Sequence, residues 1–372
     1  MSHRRLGVAR ALVDGVLVPG DVAIEGDQIA AIGLPPARGD RIAAPGLVDA
    51  QVNGFAGVDL MTADEADIRA VGRTMTRYGV TAWLPTLITA AATDTDRALK
   101  EFAKALSTVP TAAGARPLGV HLEGPYLSPQ RLGTHPAAHR RDPDAEEMRR
   151  WLGLGPVVAA TIAPELPGAV DLIRELSDRG VRVFVGHSDA TAEQAHAGFD
   201  AGAIGVTHLF NATSHFRHRR PGLPGAAMAR PGIALGLIVD GHHLADDTVR
   251  VVFAAAPGRT LLVTDATAAA GRPDGRYELA GVPLDVRDGA VRNPAGGLAG
   301  SALTLDAAVR NACTVGIDPA TALSAATEIP ARTLDRPDVG HLRLGGVADV
   351  AVLSDDLRVI DTFVAGQAAP MS

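Results

Sequence analysis

The chain has 372 residues, 47% of them hydrophobic and 21% charged, with a formal net charge of -7. That length suffices for one large core with a smaller companion unit, and the composition excludes a disordered chain and lacks the basic blocks of a nucleic-acid binder. Cys313 is the single cysteine, which excludes an internal disulfide and a cysteine-built zinc cluster, so any metal must be held by histidine and carboxylate.

The N-terminal MSHRRLGVARALVDG lacks the apolar stretch and small-residue cleavage site of a secretory signal. No segment reaches the ~18 consecutive apolar residues of a membrane span. A cytoplasmic location without a membrane partner is therefore expected. Residues 1–44 read as short strands broken by Gly and Asp, the pattern of hairpins. The tail GGVADVAVLSDDLRVIDTFVAGQ reads the same way, so residues 1–44 and 335–372 are expected to pair into one small β-sandwich domain beside a main domain at 45–334.

Between Leu47 and Asp265 one unit recurs: a short apolar run, a polar loop, then a helix-like stretch. There are eight runs: LVDAQVN, VTAWLPTLI, LGVHLEG, VVAATIAPE, VRVFVGHSD, GVTHLFNA, IALGLIVDG and TLLVTDA. Strands alternating with helices call for a parallel sheet, and eight units fit a closed (β/α)₈ barrel of the TIM type. A doubly wound open sheet is the alternative.

In such a barrel the C-terminal strand ends form the mouth. Those ends carry Gln51 and Asn53, His121 and Glu123, His187 and Asp189, His208 and Asn211, and Asp265. A helix cap alone would have no reason to select Glu, His, His and Asp at the corresponding point of four strands. Glu123, His187 and His208 supply the three ligands that a catalytic divalent ion takes when one position is left for water. Asp265 is then placed to take that water's proton and later deliver it to a leaving group. Many hydrolases of this architecture end the first strand in His-x-His, with a second metal bridged by a carboxylated lysine. Here the strand ends Gln51-x-Asn53, and Lys100 and Lys104, both in one helix-like stretch, are the only lysines. Neutral amides are poor ligands for a zinc-type ion, so Gln51 and Asn53 read as a vacated second-metal position and the site as holding one metal.

The stretches PGLVDAQVNGFAGVDL, GVHLEGPYLSP, GTHPAAH, GHSDAT, THLFNAT, DGHH, VTDATAAAG and LAGSALTL together resemble the amidohydrolase superfamily and, within it, the N-acetylglucosamine-6-phosphate deacetylase family, over essentially the whole chain. The resemblance implies hydrolysis of the acetamido group of N-acetyl-D-glucosamine 6-phosphate by metal-activated water, with zinc as the first choice of ion and iron, cobalt or manganese as others. It implies that Asp265 is base and acid and that His135 polarises the acetyl carbonyl. It also implies that Asn211, Ala212 and Arg219 meet the sugar phosphate, that His243 reaches it from the neighbouring subunit, and that the working unit is a homodimer. Where the family continues Met-Pro after Asn211-Ala212, this chain has Thr213-Ser214, followed by His215, Arg217, His218 and Arg220 around Arg219. That loop keeps N-acetylgalactosamine 6-phosphate open as the substrate. The alternative from another class is a metal-free barrel that only binds sugar phosphates.

Overall fold

The computed structural model describes residues 3–108 and 114–370. Eight parallel strands form its centre: β1 (Leu47–Val52), β2 (Val80–Ile88), β3 (Val120–Glu123), β4 (Val157–Ile162), β5 (Arg182–Val185), β6 (Gly205–Val206), β7 (Ala234–Leu237) and β8 (Thr260–Leu262). Each pairs in parallel with the next. The ring closes just past β8, where Val52 bridges Ala266 and the Asp265 N–H donates to the Gln51 carbonyl at 3.0 Å. First and last strands meet, so the sheet is the expected (β/α)₈ barrel and not an open one. Strand β2 is buried at all nine positions, as a strand covered on both faces must be, which is why these strands read as apolar runs and not as alternation.

The helices that follow the eight strands are α1 (Glu65–Met75), α2 (Ala92–Thr108), α3 (Ala145–Leu154), α4 (Ala169–Asp178), α5 (Ala192–Asp200), α6 (Gly222–Ala229), α7 (Asp246–Ala255) and α8 (Leu305–Thr314), with two shorter helices, α9 (Pro319–Ser324) and α10 (Glu328–Thr333), after them. Helix α4 buries Leu172, Ile173 and Leu176, one stripe of a 3.6-residue period. Capping boxes at Asp64 and Thr191 satisfy the first turns of α1 and α5. Helices α1 to α7 each return the chain to the start of the next barrel strand, so all eight strand ends face one mouth.

The two β-rich ends do pair: Ile42–Pro45 runs antiparallel to Val350–Leu353 at the centre of a six-stranded sheet. A three-stranded sheet of Arg4–Arg5, Asp21–Glu25 and Gln28–Leu34 lies beside it, and the unit has its own core of Val22, Ile24, Ile29, Val350 and Phe363. One element went unread in the sequence. Between β8 and α8, Gly275–Leu279, Val282–Arg287 and Ala290–Arg292 form an antiparallel sheet.

Candidate active site

Three polar atoms converge at the barrel mouth. The Glu123 Oε1 lies 3.2 Å from His187 Nε2 and 3.0 Å from His208 Nε2, and the two imidazole nitrogens are 3.1 Å apart. Glu123 ends β3; His187 and His208 follow β5 and β6 in the segments after their last paired residues. All three are buried.

Their backbones are unusual. His187, His208, Ala212 and Asp265 have φ of 47°, 29°, 49° and 49°, a region that costs a non-glycine residue roughly 1–2 kcal/mol and persists only where surroundings impose it. Strain therefore gathers at the strand ends that point side chains into the mouth.

Electrostatics follow from this crowding. Burial raises the Glu123 pKa, but the two imidazoles outweigh it and hold the carboxyl well below its usual range. Burial likewise resists charge on His208, yet the hydrogen bond and charge of Glu123 raise its pKa to about 9. The site favours a positive centre beside Glu123.

Whether a divalent ion fits can be judged from the ligand atoms. Bonds of about 2.0–2.1 Å put neighbouring ligand atoms roughly 2.8–3.4 Å apart between the octahedral and tetrahedral limits, a range that takes in the spacing of these three. The Arg131 carbonyl accepts from His187 Nδ1 at 2.9 Å, which puts the proton on Nδ1 and leaves the Nε2 lone pair facing Glu123. A carboxylate and two imidazoles so arranged suit a zinc-type ion. Glu123, His135 and His187 also offer ligand atoms within 4.8 Å of one another, but His135 is otherwise engaged. The Thr89 backbone N–H, which can only donate, meets His135 Nδ1 at 3.3 Å, with Thr89 Oγ1 at 2.9 Å. The proton is thereby placed on Nε2, and burial keeps this imidazole neutral, with its pKa well below the usual value. His135 is a hydrogen-bond donor facing the pocket rather than a ligand.

Asp265 sits opposite. Its Oδ1 accepts from Asn53 Nδ2 at 2.6 Å and Gln51 Nε2 at 3.1 Å, and Gln51 Nε2 also lies 3.2 Å from each oxygen of Glu123. The Gln51 amide thus bridges the two carboxylates, while Asn53 serves Asp265 alone. Among the described residues no donor meets Asp265 Oδ2. Burial, with Glu123 adding to it, pushes the Asp265 pKa up to about 6.

A cavity of about 290 Å³ opens over these groups and is lined by Glu123, His135, His187, His208, Asn211, Ala212, His243 and Asp265. Asn53 lines it too, and Gln51 reaches Glu123 and Asp265 without lining the cavity, so the sequence candidates left outside are Arg219, His121 and Asp189. Arg219 is exposed on an adjoining cavity of about 440 Å³ that shares only Arg131 with the first. His243, which the family resemblance would bring from a neighbouring copy, lines the pocket of its own chain, its Nδ1 2.7 Å from Asp240 Oδ2.

Two strand-end residues of the sequence analysis stand outside the pocket. His121 lies deeper, bonded to Thr161 Oγ1 at 2.8 Å, and burial lowers its pKa to about 4. Asp189 pairs with Arg131 at 2.7 Å on the outer side. Sequence reasoning missed the supporting groups Thr89 and Arg131, which no residue-type pattern marks out, and Asp240, which could have been found as the acid that ends the run IALGLIVDG. It also missed the contribution of the inserted sheet, which brings Leu279 to the pocket wall. That could have been found, because VPLDVRDGAVR carries Asp-Gly between alternating residues, a strong hairpin signal.

A model of the amidohydrolase family matches residues 42–369. N-acetylgalactosamine-6-phosphate deacetylase of Escherichia coli O157:H7 is 40% identical over 322 residues, 86% of this chain and 85% of that protein. N-acetylglucosamine-6-phosphate deacetylase of Vibrio furnissii is 36% identical over 322 residues, 85% of this chain and 80% of that protein. Among solved structures, a mutant N-acetyl-D-glucosamine-6-phosphate deacetylase from Mycobacterium smegmatis in complex with N-acetyl-D-glucosamine-6-phosphate superposes with a TM-score of 0.93 at 34% identity, covering 99% of this chain and 100% of that one.

Proposed function

The chain belongs to the amidohydrolase family, and from that premise we propose that it is an N-acetylglucosamine-6-phosphate deacetylase, hydrolysing N-acetyl-D-glucosamine 6-phosphate to D-glucosamine 6-phosphate and acetate. The observation that carries this reading is the single-metal ligand set Glu123, His187 and His208 facing an Asp265 whose one free oxygen points into the same pocket.

Glu123, His187 and His208 would hold one divalent ion, zinc by preference for this donor set; when bound, it polarises the acetyl carbonyl and makes water acidic enough to attack near neutral pH. The protein's own groups do the rest. The neutral His135 donates its Nε2–H to the acetyl carbonyl, where negative charge develops. Asp265 accepts the attacking water's proton on Oδ2 and hands it to the amine nitrogen as the C–N bond breaks, so one carboxylate serves both steps. A pKa near 6 suits a group that must both take and give that proton. Asn53 and Gln51, occupying Oδ1, keep Oδ2 turned to the substrate.

Asn211 and Ala212 are assigned to the sugar phosphate, with His243 held toward it by Asp240; Arg219 would join them from the adjoining cavity. The working unit is proposed to be a homodimer and the location cytoplasmic; no described helix is long and apolar enough to cross a membrane.

A second reading keeps the chemistry and changes the sugar to N-acetylgalactosamine 6-phosphate. It is favoured by the 40% identity to a deacetylase of that sugar phosphate and by Thr213-Ser214 beside Ala212. Acetate release by zinc-loaded protein, from both 6-phosphates and from unphosphorylated N-acetylglucosamine, separates the cases. Rapid release from the glucosamine phosphate alone is expected; preference for the galactosamine phosphate moves the assignment to the second reading, and release from neither overturns both.

A further inference from the structure

Of the eight apolar runs, VVAATIAPE ends in a charged residue that the proposed chemistry does not use. Glu165, three residues past β4, lines neither cavity of the mouth. Both its oxygens are nonetheless committed. Oε2 accepts from Ser188 Oγ at 2.7 Å and Oε1 accepts from the Asp189 backbone N–H at 2.7 Å. These are the two residues immediately after His187.

The arrangement explains what holds His187 in its left-handed conformation. Its carbonyl accepts from the Ser128 N–H at 2.8 Å, the Ser188 N–H donates to the Ala212 carbonyl at 3.0 Å, and the Ser188 carbonyl accepts from the Ser214 N–H at 2.8 Å. Those contacts fasten His187 and Ser188 to the loops on either side. What they leave unfastened is the hydroxyl of Ser188 and the N–H of Asp189, both of which Glu165 takes. No ion pair to Glu165 forms among the described residues, so its charge is met by these two charge-assisted hydrogen bonds, which are short for that reason. A carboxylate spent on one hydroxyl and one main-chain N–H of the two residues after a strained ligand has a positional purpose.

We infer that Glu165 is a positioning residue for the metal centre: by clamping Ser188 and Asp189 it keeps His187 Nε2 aimed at Glu123 and His208. Outer supports of metal ligands typically change metal affinity 10- to 100-fold when removed. The inference rests on the metal reading above, and its test measures zinc binding without substrate.

Zinc affinity is to be measured by chelator competition on the parent, Glu165→Ala and Glu165→Gln, with the melting temperature of each zinc-free protein alongside. The alanine variant is expected to bind zinc about 10- to 100-fold more weakly while its zinc-free form melts near the parent. Glutamine keeps the shape and an acceptor for the Asp189 N–H, and is expected to retain most of the affinity. An unchanged zinc constant in the alanine variant overturns the inference, whatever happens to its melting temperature. So does a glutamine variant as weak as alanine, because charge and not placement would then be at work. Should the alanine variant fail to fold, Ser188→Ala removes one of the two clamped donors and must weaken zinc in the same direction. A parent that binds no zinc removes the metal reading and this inference together, whereas an unchanged variant removes only this one.

Discussion

Asp265 divides its two oxygens between support and chemistry. Oδ1 is taken by Asn53 and Gln51 while Oδ2 stays open, so Asp265→Asn can keep both amide contacts through its carbonyl oxygen. The variant is expected to hold zinc and bind substrate as the parent does, with turnover lowered roughly 10²- to 10⁴-fold. Steady-state kinetics beside calorimetric binding checks this, and near-normal turnover would remove Asp265 from its role. A second acid, Asp49, lies beneath Gln51 and accepts from Thr264 Oγ1 at 2.7 Å. Burial outweighs that bond and raises its pKa from 3.8 to about 7. Between those values the folded chain holds a proton that the unfolded chain has released, so stability falls as pH rises from 3.8 to about 7 and is level above. Three units correspond to on the order of 4 kcal/mol. Asp49→Asn should flatten the slope, and urea midpoints at several pH values in that window will show it; equal slopes in parent and variant would count against the shift.

At the scale of elements, Glu123, His187, His208 and Asp265 lie at or just past the ends of strands, and the spacing between those ends is tight. Gly186 lies between β5 and His187, and a Cβ there would sit 2.8 Å from Thr207 Cβ and 3.0 Å from Thr161 Cγ2. Those threonines are bonded to each other at 2.7 Å across the barrel interior, so neither moves cheaply. Gly186→Ala is expected to cost about 1–3 kcal/mol and to displace His187, lowering bound zinc along with the melting temperature. Metal content after dialysis, read beside thermal unfolding, tests this; full zinc occupancy at parental stability would mean that the barrel yields more readily than its contacts imply. The strand ends were legible in the sequence because Glu123, His187, His208 and Asp265 are reactive types placed just where apolar runs stop. Thr89, Arg131 and Glu165 were not legible, since each acts through a partner 23 or more residues away that only the fold brings near.

At the scale of the molecule, the barrel and the β-rich unit are joined by a buried ion pair. Arg116, in the strand Arg116–Pro117 beside β2, meets Asp349 just before Val350–Leu353, with side chains only 18% and 4% exposed. Burial raises the Asp349 pKa against the opposing pull of Arg116. Arg116→Met would strand that carboxylate, so a loss of about 3–5 kcal/mol is expected, whereas Arg174→Met, which breaks an exposed pair with Asp171, should cost under about 1 kcal/mol. Urea unfolding of the two variants makes the comparison, and equal effects would argue against a coupled interface.

The sequence by itself determined the barrel, the pairing of its two ends and the metal-binding residue types, because burial on both faces writes continuous apolar runs and the chemistry dictates which side chains may end them. Only the tertiary structure decided which residues share the pocket and in what state: that His243 lines its own chain's site, that Arg219 stands on the next cavity, that His121 lies too deep, and that His135 donates where His187 can ligate. Those outcomes depend on the direction of each strand end and on main-chain donors and carbonyls, which are alike at every residue and become specific only when the fold brings two distant segments within a hydrogen bond of each other.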